Sequence, residues 1–172
     1  PDNESCVKKN DASWFYGRKK SNFWKYVPNS ISKFSLHTSD INPNLTPQIW
    51  KDYCRNYKIV IIDLIKSIQA EEHLKAFGDK EVDSKIKNDL ANVEIFDIKS
   101  AFKGIKFKKV IYSLSWTDKN IKQLKKIQEI INNDLINNEI IKTKEDIVYC
   151  LTPSRNDDKT KNSWKNALGT TE

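Results

Sequence analysis

The chain has 172 residues, with 30 Lys plus Arg against 23 Asp plus Glu and a formal net charge of +7. Its mean hydropathy is −0.69, and no run approaches the roughly 18 apolar residues that a membrane helix needs, so a membrane-spanning protein is set aside. A disordered chain is disfavoured too, because 18 aromatic residues and many Ile and Leu fall in periodic segments; the length instead predicts a single domain, 1–172, with a core of its own.

The chain opens at Pro1 into polar residues with no strand pattern and no Met, and it reads either as a chain that has lost its initiator or as a fragment. Residues 13–24, SWFYGRKKSNFW, set five aromatics around the basic run Arg18, Lys19 and Lys20. Two readings compete. In one, Trp14, Phe15, Phe23 and Trp24 anchor a core while 17–20 form a solvated turn, and spacing alone favours this. In the other, the aromatics form a platform that stacks a base while the basic run meets phosphate.

Thr46-Pro47 predicts an N-cap followed by Pro at the first helical position, and Trp50, Tyr53, Cys54 and Tyr57 then lie on one helical face. The β-branched run 59–62, ending at Asp63, predicts a buried strand of the parallel kind. Residues 69–92 read as a charged surface loop with one helical piece. Asp97 predicts the cap of a short helix over 98–103, with Gly104 as its stop. A second strand is expected at 110–114. Ser115 or Thr117 then starts a helix whose stripe is Ile121, Leu124, Ile127, Ile131 and Leu135. A third strand at 147–151 runs into Thr152, Pro153, Ser154 and Arg155, and a last helix over 160–168 carries Trp164 and Leu168. Alternating short strands and periodic helices predict an α/β fold in three α/β/α layers around a mainly parallel sheet. In such sheets ligands sit at the carboxyl ends of strands, here Asp63, 113–116 and Thr152 to Arg155.

Standard catalytic signatures are missing: there is no GxGxxG, Walker loop, HExxH or GxSxG. The cysteines, Cys6, Cys54 and Cys150, are odd in number, widely spaced and without a CxxC pair, which excludes a disulfide scaffold and a zinc or iron–sulfur pattern. The expectation is a reducing cytoplasm, no metal and no cofactor. Cys150, in mid-strand, reads as a small buried hydrophobe, and His37 and His73 read as surface residues. Asp63 is the one carboxylate immediately after a buried run, and reads equally as a helix cap or as a site residue. The basic excess invites a polyanion, although Lys outnumbers Arg 27 to 3 and compositional bias accounts for the charge equally well.

Taken in order, these pieces resemble the uracil-DNA glycosylase superfamily, in its branch of mismatch-specific and hypoxanthine-type glycosylases. Tyr16 to Trp24, YGRKKSNFW, is similar to that family's Y-A-H-P-x-N-x-F-W stretch; Ile61-Ile62-Asp63 is similar to its strand ending in L-x-D; Leu151-Thr152-Pro153-Ser154-Arg155 resembles its L-P-S-P-S loop. The family's first strand and G-x-x-P loop have no counterpart before Tyr16, Ser21 stands where relatives show Asn, and the LTPSR stretch has no His. The resemblance therefore implies a glycosylase-like fold lacking its first strand, in an N-terminally truncated chain. It implies a monomeric hydrolase of base-excision repair that flips a uracil, hypoxanthine or mismatched base out of DNA and cleaves its N-glycosidic bond. Tyr16 would stack the base. Asp63 would orient water, while Arg18, Lys19, Lys20, Thr152, Pro153, Ser154 and Arg155 would hold the DNA. The alternative is a noncatalytic nucleic-acid-binding or interaction domain on the same fold; a third reading is a small-ligand α/β domain with the aromatics in its core.

Overall fold

The computed structural model describes residues 14–16, 21–42, 45–68, 90, 93–113, 122–153 and 156–169. In chain order its elements are α1 (Phe23–Ser32), α2 (Thr46–Asn56), β1 (Ile65–Ile68), β2 (Val93–Ile95), α3 (Ile98–Ala101), β3 (Val110–Tyr112), α4 (Lys122–Asn137), a 3₁₀ turn (Lys144–Asp146), β4 (Ile147–Tyr149) and α5 (Asp158–Leu168). The fold mixes helix and strand, in keeping with the α/β class. The described residues fall into two compact units: one lies within 62–112 and 122–148, the other within 14–61, 113 and 149–169.

The first unit is organised by α4. Leu124, Ile127, Ile131 and Leu135 recur at helical spacing, and all four are buried together with Ile98, Tyr112, Ile140, Ile141 and Ile147. Each such side chain removed from water contributes about 1.5–3 kcal/mol, so this stripe is what holds the helix in place. β3 and β4 form a two-stranded parallel pair, and α4 lies in the crossover between them, as a parallel connection requires. β1 and β2 pair antiparallel, with Ile65 opposite Ile95 and Ile68 opposite Val93, and a bulge between Ile65 and Ser67. Asp97 caps α3 by accepting the Ser100 N–H at 3.0 Å, and Gly104 takes φ +77° just beyond it.

The second unit is helical and aromatic. Trp24 of α1 is stacked between Trp14 (centroids 5.7 Å apart) and Trp50 of α2 (4.9 Å, planes 7° apart), and Phe23 meets Trp164 of α5 edge-on at 5.4 Å. Pro28 lies inside α1. Having no N–H, it leaves the Trp24 carbonyl without its helical donor, and the Leu36 N–H supplies the bond from the following loop at 2.8 Å. α1 and α2 end on residues that are not glycine: Lys33 at φ 62° and Lys58 at φ 55°. After α2, the Lys58 N–H reaches the Arg55 carbonyl and the Ile59 N–H reaches the Cys54 carbonyl, the two bonds of a Schellman ending. α4 in the first unit ends the same way through Glu139 at φ 53°, with Glu139 N–H on Ile136 and Ile140 N–H on Leu135.

Several sequence expectations are corrected. Residues 59–62 are not a strand. The Ile59 amide closes α2, Val60 is exposed, and strand pairing begins only at Ile65, in antiparallel sense, so three mutually parallel strands do not form at the expected places. The third strand ends at Tyr149 rather than 151, because the Leu151 N–H goes to the Ser163 hydroxyl and the Leu151 carbonyl accepts the Trp164 indole. Thr46 is the first helical residue rather than a cap; its hydroxyl donates back to the Asn42 carbonyl at 2.9 Å. Tyr57 leaves the buried face of α2 and is exposed. Residues 1–13, 69–89 and 114–121 lie outside the described residues, and with them the expected loop, His73, Ile121 and any start of α4 at Ser115 or Thr117. No described helix is long and apolar enough to cross a membrane.

Candidate functional site

The aromatic segment and the loop after β4, 137 residues apart between Tyr16 and Pro153, meet in the second unit. The Asn22 N–H donates to the Pro153 carbonyl at 2.6 Å. This joins the residue before α1 to the loop carrying Thr152 and Pro153. Tyr16 is half-buried. Its ring lies parallel to Phe23, with centroids 4.3 Å apart and planes at 12°, and its hydroxyl pairs with that of Ser113, the residue after β3. Tyr16 itself holds φ 57°, a left-handed backbone that a bulky residue adopts only where its surroundings fix it.

Each of the two loops is pinned by an indole one residue upstream of its candidate residue. The Trp24 N–H donates to the Phe15 carbonyl at 2.8 Å, just before Tyr16. The Trp164 N–H donates to the Leu151 carbonyl at 2.9 Å, just before Thr152. Both indoles are buried and would lose a hydrogen bond's worth of stability if left unpaired, so the bonds fix the loops as firmly as they satisfy the rings. Phe23 and Trp24 are thus the anchors of the first loop. Pro153 is buried within the second, and Thr152 is exposed.

Sequence reading missed a polar cluster beside these loops. The Asn156 side-chain oxygen accepts from the Lys25 ammonium and from the Tyr26 hydroxyl, each at 3.3 Å. Two donors on one atom identify that atom as the carbonyl oxygen, so the amide N–H₂ points away from Lys25 and Tyr26. Burial, and then the nearby charges of Asp157 and Asp158, raise the Tyr26 pKa and keep it a neutral phenol. Asp157 caps α5 by accepting the Thr160 N–H at 2.7 Å. The signal in the sequence is the i, i+3, i+4 spacing of Asn22, Lys25 and Tyr26, which puts all three on the face of α1 that meets the loop.

Asp63 belongs to the other unit. It is exposed, between Ile62 and Leu64, which pack on the first core, and partial desolvation raises its carboxyl pKa. Arg18, Lys19, Lys20, Ser154 and Arg155 lie outside the described residues. Cys150 is buried, its thiol donating to the Ser163 carbonyl at 3.6 Å, and burial pushes the Cys54 thiol up to about 11. The His37 ring pairs with the Ser39 hydroxyl at 2.8 Å. Among the described residues no group of three His, Cys, Asp or Glu is placed to hold a metal ion. No family model, curated protein or solved structure matches the chain.

Proposed function

We propose that this chain is a DNA glycosylase-like domain that flips a deaminated or mismatched base and hydrolyses its N-glycosidic bond. The observation that carries the proposal is the Asn22–Pro153 hydrogen bond, which brings the aromatic segment against the loop that follows β4. On this reading the β3–α4–β4 unit belongs to a three-layer α/β/α arrangement. Tyr16 receives the extruded base on a ring backed by Phe23, recovering about 1–3 kcal/mol of the unstacking cost. Arg18, Lys19, Lys20, Thr152, Ser154 and Arg155 contact the sugar–phosphate backbone, and Pro153 stiffens their loop. Water adds to C1′ of the oxocarbenium-like sugar as the base departs with the bonding electrons, and the water's proton passes to a carboxylate, the role that the resemblance gives to Asp63. Its raised pKa makes it a better proton acceptor than an ordinary carboxylate.

The test is cleavage of duplexes containing uracil or hypoxanthine, followed as alkali-labile sites. Activity is expected in the parent chain and lost in Asp63→Asn, while Tyr16→Ala weakens binding to mismatched DNA by about 1–3 kcal/mol. A chain that binds such DNA through Tyr16 but leaves no alkali-labile site would establish the second reading, a noncatalytic nucleic-acid-binding domain. That reading draws support from the makeup of the described cluster around Tyr16 and Pro153: two hydroxyls, a carboxamide, an ammonium and a phenol, with the nearby Asp157 carboxylate engaged in capping α5.

A further inference from the structure

The second unit carries another aromatic surface, built where α1 and α2 end. Tyr53 of α2 is buried and joins the two ends: its hydroxyl pairs with the Ser32 hydroxyl at 3.2 Å. Phe34 meets its ring edge-on at 5.9 Å, and Tyr57 lies against it at 4.5 Å. Phe34 and Tyr57 are large rings left 44% and 43% exposed. Each is next in sequence to a lysine in left-handed backbone conformation, Lys33 at φ 62° and Lys58 at φ 55°. Both lysines are exposed, and among the described residues neither takes part in an ion pair. The nearest acidic residue on α2, Asp52, is matched by Arg55 at 2.6 Å.

Two part-exposed rings on one buried ring, each next in sequence to an exposed lysine that makes no ion pair among the described residues, are the elements that bind a nucleic-acid strand with its bases unpaired. A duplex hides its base faces and would meet only the lysines. An acidic peptide would meet the lysines with its carboxylates but does not present flat rings at regular intervals along its charged backbone, as a single strand does. We propose that Phe34 and Tyr57, with Lys33 and Lys58, form a single-strand-binding surface that stacks bases and meets phosphates. It does not depend on the glycosylase reading, since it uses none of the residues assigned there and requires no bond to be cleaved.

The experiment is fluorescence anisotropy of a labelled oligothymidylate, which offers no deaminated base, titrated with the full chain over a range of salt. Phe34→Ser/Tyr57→Ser should lose at least about tenfold in affinity at unchanged salt slope, in line with the loss of stacked bases. Lys33→Gly/Lys58→Gly should reduce the salt slope by about 1.4, since each single-strand phosphate contributes about 0.7. It should do so without lowering the thermal midpoint, because glycine takes the left-handed backbone freely. That variant decides the matter if the serine variant does not fold. Parental affinity in either folded variant overturns the proposal, as does polyglutamate competing as well as oligothymidylate at equal charge. A loss confined to Tyr16→Ala would reassign single-strand binding to the Tyr16 loop and equally overturn it.

Discussion

Replacing Trp24 by Phe tests whether the buried indoles hold the candidate loops. The substitution removes the N–H that the Phe15 carbonyl accepts at 2.8 Å and shrinks a ring stacked at 5.7 Å on Trp14 and 4.9 Å on Trp50. The hydrogen bond contributes about 1 kcal/mol net. The part-buried position of Phe15 lets water reach the abandoned carbonyl, so no larger penalty for an orphaned group is added. Partial loss of two aromatic contacts, each about 0.5–1.5 kcal/mol when complete, brings the total to about 2–3 kcal/mol. For a chain of this size that lowers Tm by about 4–12 °C. Urea unfolding followed by far-UV circular dichroism gives the free energy from the midpoint at constant m. Hydrogen exchange at 14–16 should accelerate by more than the global destabilisation accounts for. A loss below about 1 kcal/mol, or exchange at 14–16 that tracks global unfolding alone, would refute the idea that the indole pins the Tyr16 loop.

Three further outcomes are expected. Lys58→Gly and Glu139→Gly should each stabilise the fold by about 0.5–1 kcal/mol, the left-handed penalty of about 1–2 kcal/mol less the extra chain entropy of glycine, as read in urea titrations; losing the exposed Lys106–Glu139 pair should not reverse the sign. Because the Asp63 carboxyl is raised above its ordinary 3.8, its contribution is complete below the unfolded pKa and is lost as pH rises through the folded one. Asp63→Asn should therefore be the more stable chain at pH 7, with the gap closing below about pH 4 in midpoints measured across pH. Cys54, its thiol pushed up to about 11 by burial, should react with a disulfide reagent at pH 8 at the pace of unfolding in native buffer and within the mixing time in denaturant.

What was legible in the sequence follows from how local each signal is. The α4 stripe from Leu124 to Leu135, the Asp97 cap and the Trp50–Tyr53–Cys54 face are set by spacing within a few residues, and they fold as read. The run 59–62 misled because four β-branched or apolar residues look alike whether they pair with a strand or leave a helix. What decides is the fate of one amide, Ile59 N–H, taken by the Cys54 carbonyl. With only four glycines in the chain, the usual mark of that helix ending is missing, and a lysine takes the left-handed position instead. The Asn156 cluster escaped notice for a different reason. Its partners, Lys25 and Tyr26, lie more than a hundred residues from Asn156, so the spacing that puts them on one helical face does not point to it.

The three described buried tryptophans give the second unit a common logic. A helical unit with long loops must still satisfy its buried and part-buried loop carbonyls, which a strand ladder would otherwise do. Here indoles take that part: Trp24 donates to Phe15, Trp50 to Leu36 and Trp164 to Leu151. Trp50 thereby holds the loop whose Leu36 amide replaces the donor missing at Pro28, so α1 keeps its bonding through the proline. The other two hold the loops that carry Tyr16 and Thr152. Mobile loops lose entropy when a ligand orders them, and preorganised ones lose less. On the proposed reading, a ligand would meet residues whose backbones the core already fixes, and the tryptophans would act on affinity through that order.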